Sequence, residues 1–406
     1  MRNKYEKNGY WLAALLTAIV LLVFLYNRTP FSSLKMELTR EDAVKTAHDF
    51  LERLNYDLSA YTYEATVNAN NEIAGYIIKS GGNEAYSNAV EDNVIPLHGW
   101  RIFFHQNLPP GTPQVTYLIT ISHDGRISSF NREIPDTMTI PSVNQLLAEE
   151  KIKEFINYNT SINLGDFTKV KVKEDNFGNR FDYQFEWEKE ISEPAGKLKL
   201  RAGLQGNEPG RFQLFFEIPP NSLDDNRALQ TLFGTSSFIF VFFLVQFAIF
   251  VFIKKYHAGE IWLSTGKVLL IAFYIVAVIG VINSWPSIGE GIGTGTDILT
   301  KKVVVLISSV FLVYVLLALL VFAGWAVGES FSREIWREKL EGIDAIIKGK
   351  FFTNQSGPSL LQGMVLGTII VLVHAIIAIV INSIAGGAFV SPNGFLAIYN
   401  RYLPVL

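Results

Sequence analysis

Apolar positions follow two regimes along this chain. Five stretches are apolar almost without interruption: Tyr10 to Tyr26, Phe238 to Ile253, Val268 to Trp285, Val303 to Val327 and Leu360 to Ile384. A run of about 20 apolar residues matches the roughly 30 Å hydrocarbon core of a bilayer, so each stretch predicts a transmembrane helix. None contains Lys, Arg, Asp or Glu, as the cost of about 2.5 to 3.5 kcal/mol for a charge at a helix centre requires. Gln246, Asn283, His374 and Asn382 are among their polar residues.

Between the first and second stretches the pattern changes to short periods. Thr39 to Leu54 places Ala43, Ala47, Phe50 and Leu51 on one helical face, and Ser142 to Tyr158 places Ala148, Ile152, Phe155 and Ile156 at the same spacing. Thr39 with Asp42, and Ser142 with Gln145, resemble capping boxes that mark the two helix starts. Alternating segments follow each helix. In the first unit they are Trp100 to His105, Val115 to Ser122 and Arg126 to Arg132, the last two joined by a turn at His123, Asp124 and Gly125. In the second, Phe181, Tyr183, Phe185 and Trp187 alternate with polar residues and predict a buried strand face, as do Leu198, Leu200 and Ala202, and Phe212 to Ile218 closes the unit. Both units end in the same tripeptide, Glu133-Ile134-Pro135 and Glu217-Ile218-Pro219. The expected fold is an α-helical membrane bundle of five spans carrying an α+β domain made of two helix-plus-antiparallel-sheet repeats, each burying one sheet face under its own helix.

Lys and Arg in short flanks are retained on the cytoplasmic side. Arg2, Lys4 and Lys7 precede the first span, Lys254, Lys255 and Lys267 flank the link between the second and third, and Arg333, Arg337, Lys339, Lys348 and Lys350 follow the fourth. Only Lys301 and Lys302 are contrary. The bias predicts a cell-membrane protein with residues 1–9 as a cytoplasmic tail, 10–27 as a signal anchor, 28–140 and 141–226 as two outer units within an extracytoplasmic region of residues 28–230, and 227–406 as the membrane domain. The first span is read as uncleaved, because Asn27, Arg28, Thr29 and Pro30 offer no small-x-small cleavage site. Residues 329–350, with Ile335, Trp336, Leu340, Ile343, Ile346 and Ile347 against Arg337, Lys339, Lys348 and Lys350, predict a cytoplasmic amphipathic helix on the membrane surface.

Composition narrows the chemistry. With no cysteine in 406 residues, disulfides and thiol-ligated metals are excluded. A formal charge of −3 and the lack of a basic patch give no reason to expect nucleic acid; the expected partners are the lipid bilayer and a peptide or membrane-protein substrate. His98, His105 and His123 are the candidate metal ligands of the outer domain, but their spacing imitates no ligand pattern, and strand and turn histidines on a solvated face are the simpler reading. Gly289, Gly291, Gly293 and Gly295 lack the Lys-Ser or Lys-Thr ending of a phosphate loop and read as a flexible connector. Gly363 and Gly367 have the small-x-x-x-small spacing that permits close helix contact. Glu329 and Arg333 stand four apart and pair on a helix surface, worth a few tenths of a kcal/mol if exposed. His374 lies within the fifth span with no acidic residue in any span to pair with, so a helix-packing role is preferred to a catalytic one.

The outer helix-then-strands order, with a strand containing "HDGRISSF", resembles the PepSY-type domain, which implies a binding or inhibitory module. From about Leu229 to Leu406, "INSWP" after the third span, "AGWAVGESFSREIWREKL" at the end of the fourth, the basic helix and "YNRYLP" resemble the amino-terminal and middle part of long bacterial CPBP-family intramembrane proteases, also called type II CAAX or bacteriocin-processing proteases. The resemblance implies an endopeptidase that uses a Glu-Glu-x-x-x-Arg motif and later histidine motifs. This chain departs from that pattern. Glu149 and Glu150 have Glu154 where the arginine belongs, Gly328 replaces the first glutamate before Glu329, and Asn382 is eight residues from His374. No catalytic, cofactor or metal residue is therefore assigned, and the catalytic helices are expected beyond Leu406 in a longer parent or lost from it. The alternative reading is a non-enzymatic membrane sensor or accessory protein whose outer domain binds a peptide or envelope ligand.

Overall fold

The computed structural model describes residues 2–402 apart from 28, 30–33, 35, 107, 110–111, 221, 223–226, 262, 289–297, 337–339, 351–355 and 385–395. The glycines from Gly289 to Gly295, and Arg337 and Lys339, lie outside the described residues, as does the side chain of Asn382. The chain divides into a helical unit, residues 1–28, 225–283 and 302–381, and a sheet unit, residues 29–224, 284–301 and 382–406.

The helical unit contains the five apolar stretches as helices: α1 (Arg2–Tyr26), α5 (Arg227–His257), α6 (Leu263–Asn283), α7 (Ile298–Ser308) continued through a π-turn at Ser309–Val313 into α8 (Tyr314–Ile335), and α10 (Ser356–Ile384). Five segments of these helices are long and apolar enough to cross a membrane. Apolar side chains such as Phe240, Phe243, Phe247 and Phe250 remain exposed on them, which a bilayer accommodates and water does not. Close contact arises at Gly266 of α6, where a Cβ would lie 2.9 Å from the Phe322 ring of α8. Gly363 and Gly367, expected to make such a contact, have open space beside them among the described residues. The amphipathic segment expected over 329–350 is divided: α8 runs to Ile335, and a separate short helix, α9 (Glu341–Ile347), follows.

The sheet unit is one antiparallel sheet of eight strands: β1 (Tyr61–Ala69), β2 (His98–Gln106), β3 (Thr116–Ser122), β4 (Ile127–Glu133), β5 (Thr168–Asn176), β6 (Phe181–Ser192), β7 (Ala195–Gln205) and β8 (Glu208–Glu217). Their order is β1-β2-β3-β4-β8-β7-β6-β5. The two repeats are therefore not separate modules. The final strand of each has an unpaired edge, and β4 and β8 satisfy one another across it through Ser129↔Gln213, Phe130↔Phe212 and Asn131↔Arg211. The offset that carries Glu133 onto Glu217 also carries Ser129 onto Gln213, so the local two-fold of the repeat passes through that pair.

Helices α2 (Arg40–Arg53) and α4 (Gln145–Asn159) bury the faces read from their periodicity, Ala43, Ala47, Phe50 and Leu51, and Ala148, Ile152, Phe155 and Ile156. They share a single core with the sheet. Phe50 stands edge-on to Phe130 at 5.3 Å and to Phe155 at 6.4 Å, and Phe155 to Phe212 at 6.4 Å, so one aromatic file crosses the junction. Tyr183, Phe185 and Trp187 are buried as expected, while Phe181 at the strand start is 37 % exposed. Thr39 caps α2 and also donates to the Asp42 carboxylate. For α4 the cap is Asn144, which accepts from Leu147 N–H; Ser142 instead accepts the Phe181 N–H. The cap of this helix therefore stands two residues later than Ser142, because the carboxamide of Asn144 reaches the first turn and the hydroxyl of Ser142 is engaged by β6.

A third helix, α3 (Asn71–Asp92), bridges β1 and β2 and bends at Gly82, which takes φ 74°. Ile73, Tyr76, Ile77, Tyr86 and Val90 of α3 form a second core with Ile95, Leu97 and Phe216, and Tyr76 donates to the Ala195 carbonyl. Two segments that follow the apolar helices also belong to this unit: the 3-10 turn Trp285–Ser287 and the stretch Leu396–Asn400.

Candidate functional site

The α8 sequence spaces Trp325, Glu329 and Arg333 four apart, which stacks them along one helical face. Trp325 Nε1 donates to Glu329 Oε2 at 2.9 Å, and Arg333 Nε donates to Oε1 at 2.8 Å. The far side of the Arg333 guanidinium makes two bonds, 3.1 and 2.8 Å, to the Asp344 carboxylate of α9. Beside it, Lys255 at the end of α5 donates to Ser330 Oγ and to Glu260, both at 3.1 Å, and lies 4.2 Å from the centre of the Phe331 ring. The cluster ties together α5, α8 and α9.

Burial changes what the Glu329–Arg333 pair is worth. The Glu329 side chain is 1 % exposed, so this is not the surface pair that its spacing suggested. A buried ion pair gains little over apolar packing, but removing one partner strands a desolvated charge at a cost of about 3 to 5 kcal/mol. Both Glu329 oxygens accept from its own helix, and the link to α9 runs through Arg333 to Asp344.

The other sequence candidates separate. His98 and His123 stack face to face with centroids 4.7 Å apart, brought together by the β2–β3 register in which Gly99 faces Ser122. Gly99 is required there, since a Cβ would lie 2.1 Å from the Ile121 carbonyl oxygen. Both imidazoles are buried rather than solvated, and burial lowers the His123 pKa despite Asp124 and Glu37 nearby. His105 sits at the other end of β2 beside Thr62, so the three histidines do not converge. His374 bonds through Nδ1 to the Ile370 carbonyl one turn earlier. Glu149 is held by Lys153 and Lys169, and Glu150 is exposed.

Two further clusters have no signature in sequence because their members come from distant strands. Arg132, 5 % exposed, binds Glu208 and Tyr56 and lies 5.0 Å from the centre of the Tyr56 ring, beside Tyr117 and Tyr61. Arg180 donates to the carbonyls of Pro135, Asp136 and Met138 and to the Asp182 carboxylate, clamping the connection between the repeats. His48, Asp49 and Glu52 group on the outer side of α2; they are half-buried or exposed, and a periodic helix surface explains them. No family model, no curated protein and no solved structure matches this chain.

Proposed function

We propose that this chain is the substrate-recruiting and membrane-embedded part of a CPBP-like intramembrane endopeptidase, its 406 residues lacking the Glu-Glu-x-x-x-Arg motif. The peptidase class rests on the resemblance of the Gly328-to-Arg333 segment and its surroundings. The recruiting role is supported by one structural observation: Leu396 enters the core of the sheet unit and Asn400 bonds to its first strand. A peptide held on that sheet therefore acts on the same residues that follow α10.

The orientation predicted from Lys and Arg fits this reading. The chain passes to the sheet unit after α1, α6 and α10 and returns to the helical unit near the starts of α5 and α7. That alternation is what five crossings require if residues 28–230 lie on one side, and the Lys and Arg bias is the ground for taking that side as extracytoplasmic.

The buried Glu329–Arg333–Asp344 array is assigned an anchoring role at the cytoplasmic ends of α5 and α8. A non-enzymatic sensor is the second reading, favoured by the enclosure of Glu329. The coding sequence past the Leu406 codon decides between them. A Glu-Glu-x-x-x-Arg helix encoded there is the expected result, and a stop codon in its place overturns the peptidase reading and leaves the sensor.

A further inference from the structure

The two outer edges of the sheet are finished differently. Strand β5 is exposed along most of its length, carries Lys169, Lys171 and Lys173, and shifts register between Lys169 and Lys171. Lysines and a bulge on an edge strand discourage further pairing. Strand β1 has no lysine and no register shift; it runs in regular pairing with β2 from Tyr61↔Gln106 to Ala69↔His98. An edge with regular pairing and no lysine is suited to accept another strand.

What occupies the β1 edge is a side chain imitating a strand. The Asn400 carboxamide accepts the Val67 N–H through Oδ1 and donates from Nδ2 to the Val67 carbonyl at 2.9 Å. A carboxamide is chemically a peptide group, and this exchange reproduces one rung of an antiparallel ladder. Asn400 is held in place from its own neighbours: Arg40 Nη2 donates to the Tyr399 carbonyl at 2.7 Å, and Leu396 is buried in the core. The turn Trp285–Ser287 also packs against β1. By the alternation of the ladder, Tyr63 and Ala65 present their backbone groups to the same edge as Val67. The Tyr63 ring, 55 % exposed beside Phe104 at 6.2 Å, offers apolar surface there.

We propose that the β1 edge is a strand-addition site for an extended peptide segment, which pairs with Tyr63 to Val67 through main-chain hydrogen bonds and displaces Asn400 from Val67. The proposal rests on the recruiting reading above and names its site and ligand class. Recognition by a strand edge is carried by the peptide backbone, with side chains at alternate positions giving selectivity. Asn400 is then a built-in competitor. Its release frees Ala397 to Asn400, so occupancy of the sheet is reported to the segment that follows α10.

The test uses the full chain in detergent micelles and the fluorescein-labelled probe Lys-Thr-Val-Thr-Val-Thr-Lys, an uncoiled strand former, read by fluorescence anisotropy. Asn400→Ala and Arg40→Ala each remove part of the competitor and are expected to tighten probe binding, by about tenfold for Asn400→Ala, which deletes two hydrogen bonds. The same probe methylated on alternate backbone nitrogens is expected not to bind. Hydrogen exchange at the Val67 amide adds an independent readout: protected in the native chain, faster in Asn400→Ala, and protected again with saturating probe. Variants that bind no tighter than the native chain, a methylated probe that binds equally, or no binding to any variant each overturn the edge proposal. Probe binding indifferent to all these changes does so while leaving recruitment elsewhere on the sheet intact, and the peptidase reading is decided separately by the coding sequence.

Discussion

Between its first two strands the first repeat of the sheet unit carries the 22-residue helix α3, where the second repeat turns back within Phe177 to Arg180. The edge strand of the first repeat is met by Asn400, and that of the second is exposed and studded with lysine. Yet the helix, the four strands and the closing Glu-Ile-Pro are common to both. The difference shows where the duplicated fold tolerates change. Positions on the aromatic file across β4 and β8 are constrained by two repeats at once, while the β1–β2 connection and the outer edges are free to acquire contacts of their own. The first repeat is the engaged half and the second the shielded half.

The strongest way to break this comparison is to ask whether the halves have one core or two. Phe50 is fully buried and Phe155 is 5 % exposed, so Phe50→Ala and Phe155→Ala are each expected to destabilise the sheet unit by about 3 to 5 kcal/mol. Because the rings touch one another and both approach Phe130, the double variant should depart from the sum by about 0.5 kcal/mol or more. Chemical denaturation followed by tryptophan fluorescence measures this. Strict additivity, or two separate transitions, would return the repeats to independent modules.

That single core is also where sequence reading ran short. The two helix faces, Phe50 and Phe155 included, were legible because their spacing reports burial directly. The pairing of β4 with β8 was not, since each strand closes its own unit and nothing local announces a partner about 80 residues away. Strands β1 and β5 were not read although both alternate, Tyr61, Tyr63, Ala65 and Val67 against Thr62, Glu64, Thr66 and Asn68 in β1, and Val170 and Val172 between Lys169, Lys171 and Lys173 in β5; neither carries the run of large apolar side chains that marked Phe181 to Trp187. Helix α3 escaped because Gly81 and Gly82 interrupt its apolar pattern. In the helical unit the five apolar stretches were plain from composition. The candidate site was half legible: the Glu329 to Arg333 spacing gave the pair, but its burial depends on Trp325 and on Asp344 of another helix. The Asn400 contact, spanning more than 300 residues of sequence, left no trace at all.

Acid sharpens the comparison, since among the residues of the sheet every buried histidine belongs to the first repeat. Desolvation lowers the His123 pKa in the folded state, so the unfolded chain binds the proton more readily. The associated stability is fully present above the unfolded value of about 6.5 and is lost as pH falls through it toward the lower folded value. Tm of the native chain should therefore fall between pH 7.5 and 5.5 by more than that of a His123→Asn variant, an effect smaller than either Phe truncation. Equal slopes for the two proteins would show that this imidazole titrates as it does in water.

The smallest expected effect compares the helix starts. Thr39 and Asn144 occupy the same position in the two repeats by structure, although the sequence pattern aligned Thr39 with Ser142. Each accepts one N–H from the first turn, Asp42 N at 3.2 Å for Thr39 and Leu147 N at 2.9 Å for Asn144. Replacement by Ala leaves that donor without its side-chain acceptor and should cost about 1 kcal/mol in each case. Ser142 accepts instead from the Phe181 N–H, an exposed bond at 2.8 Å between the α4 approach and β6. Ser142→Ala should therefore leave amide exchange at Leu147 unchanged while speeding it at Phe181, and Asn144→Ala should do the reverse. Hydrogen exchange at those two amides reads the result directly, and loss of protection at Leu147 in Ser142→Ala would restore Ser142 as the cap.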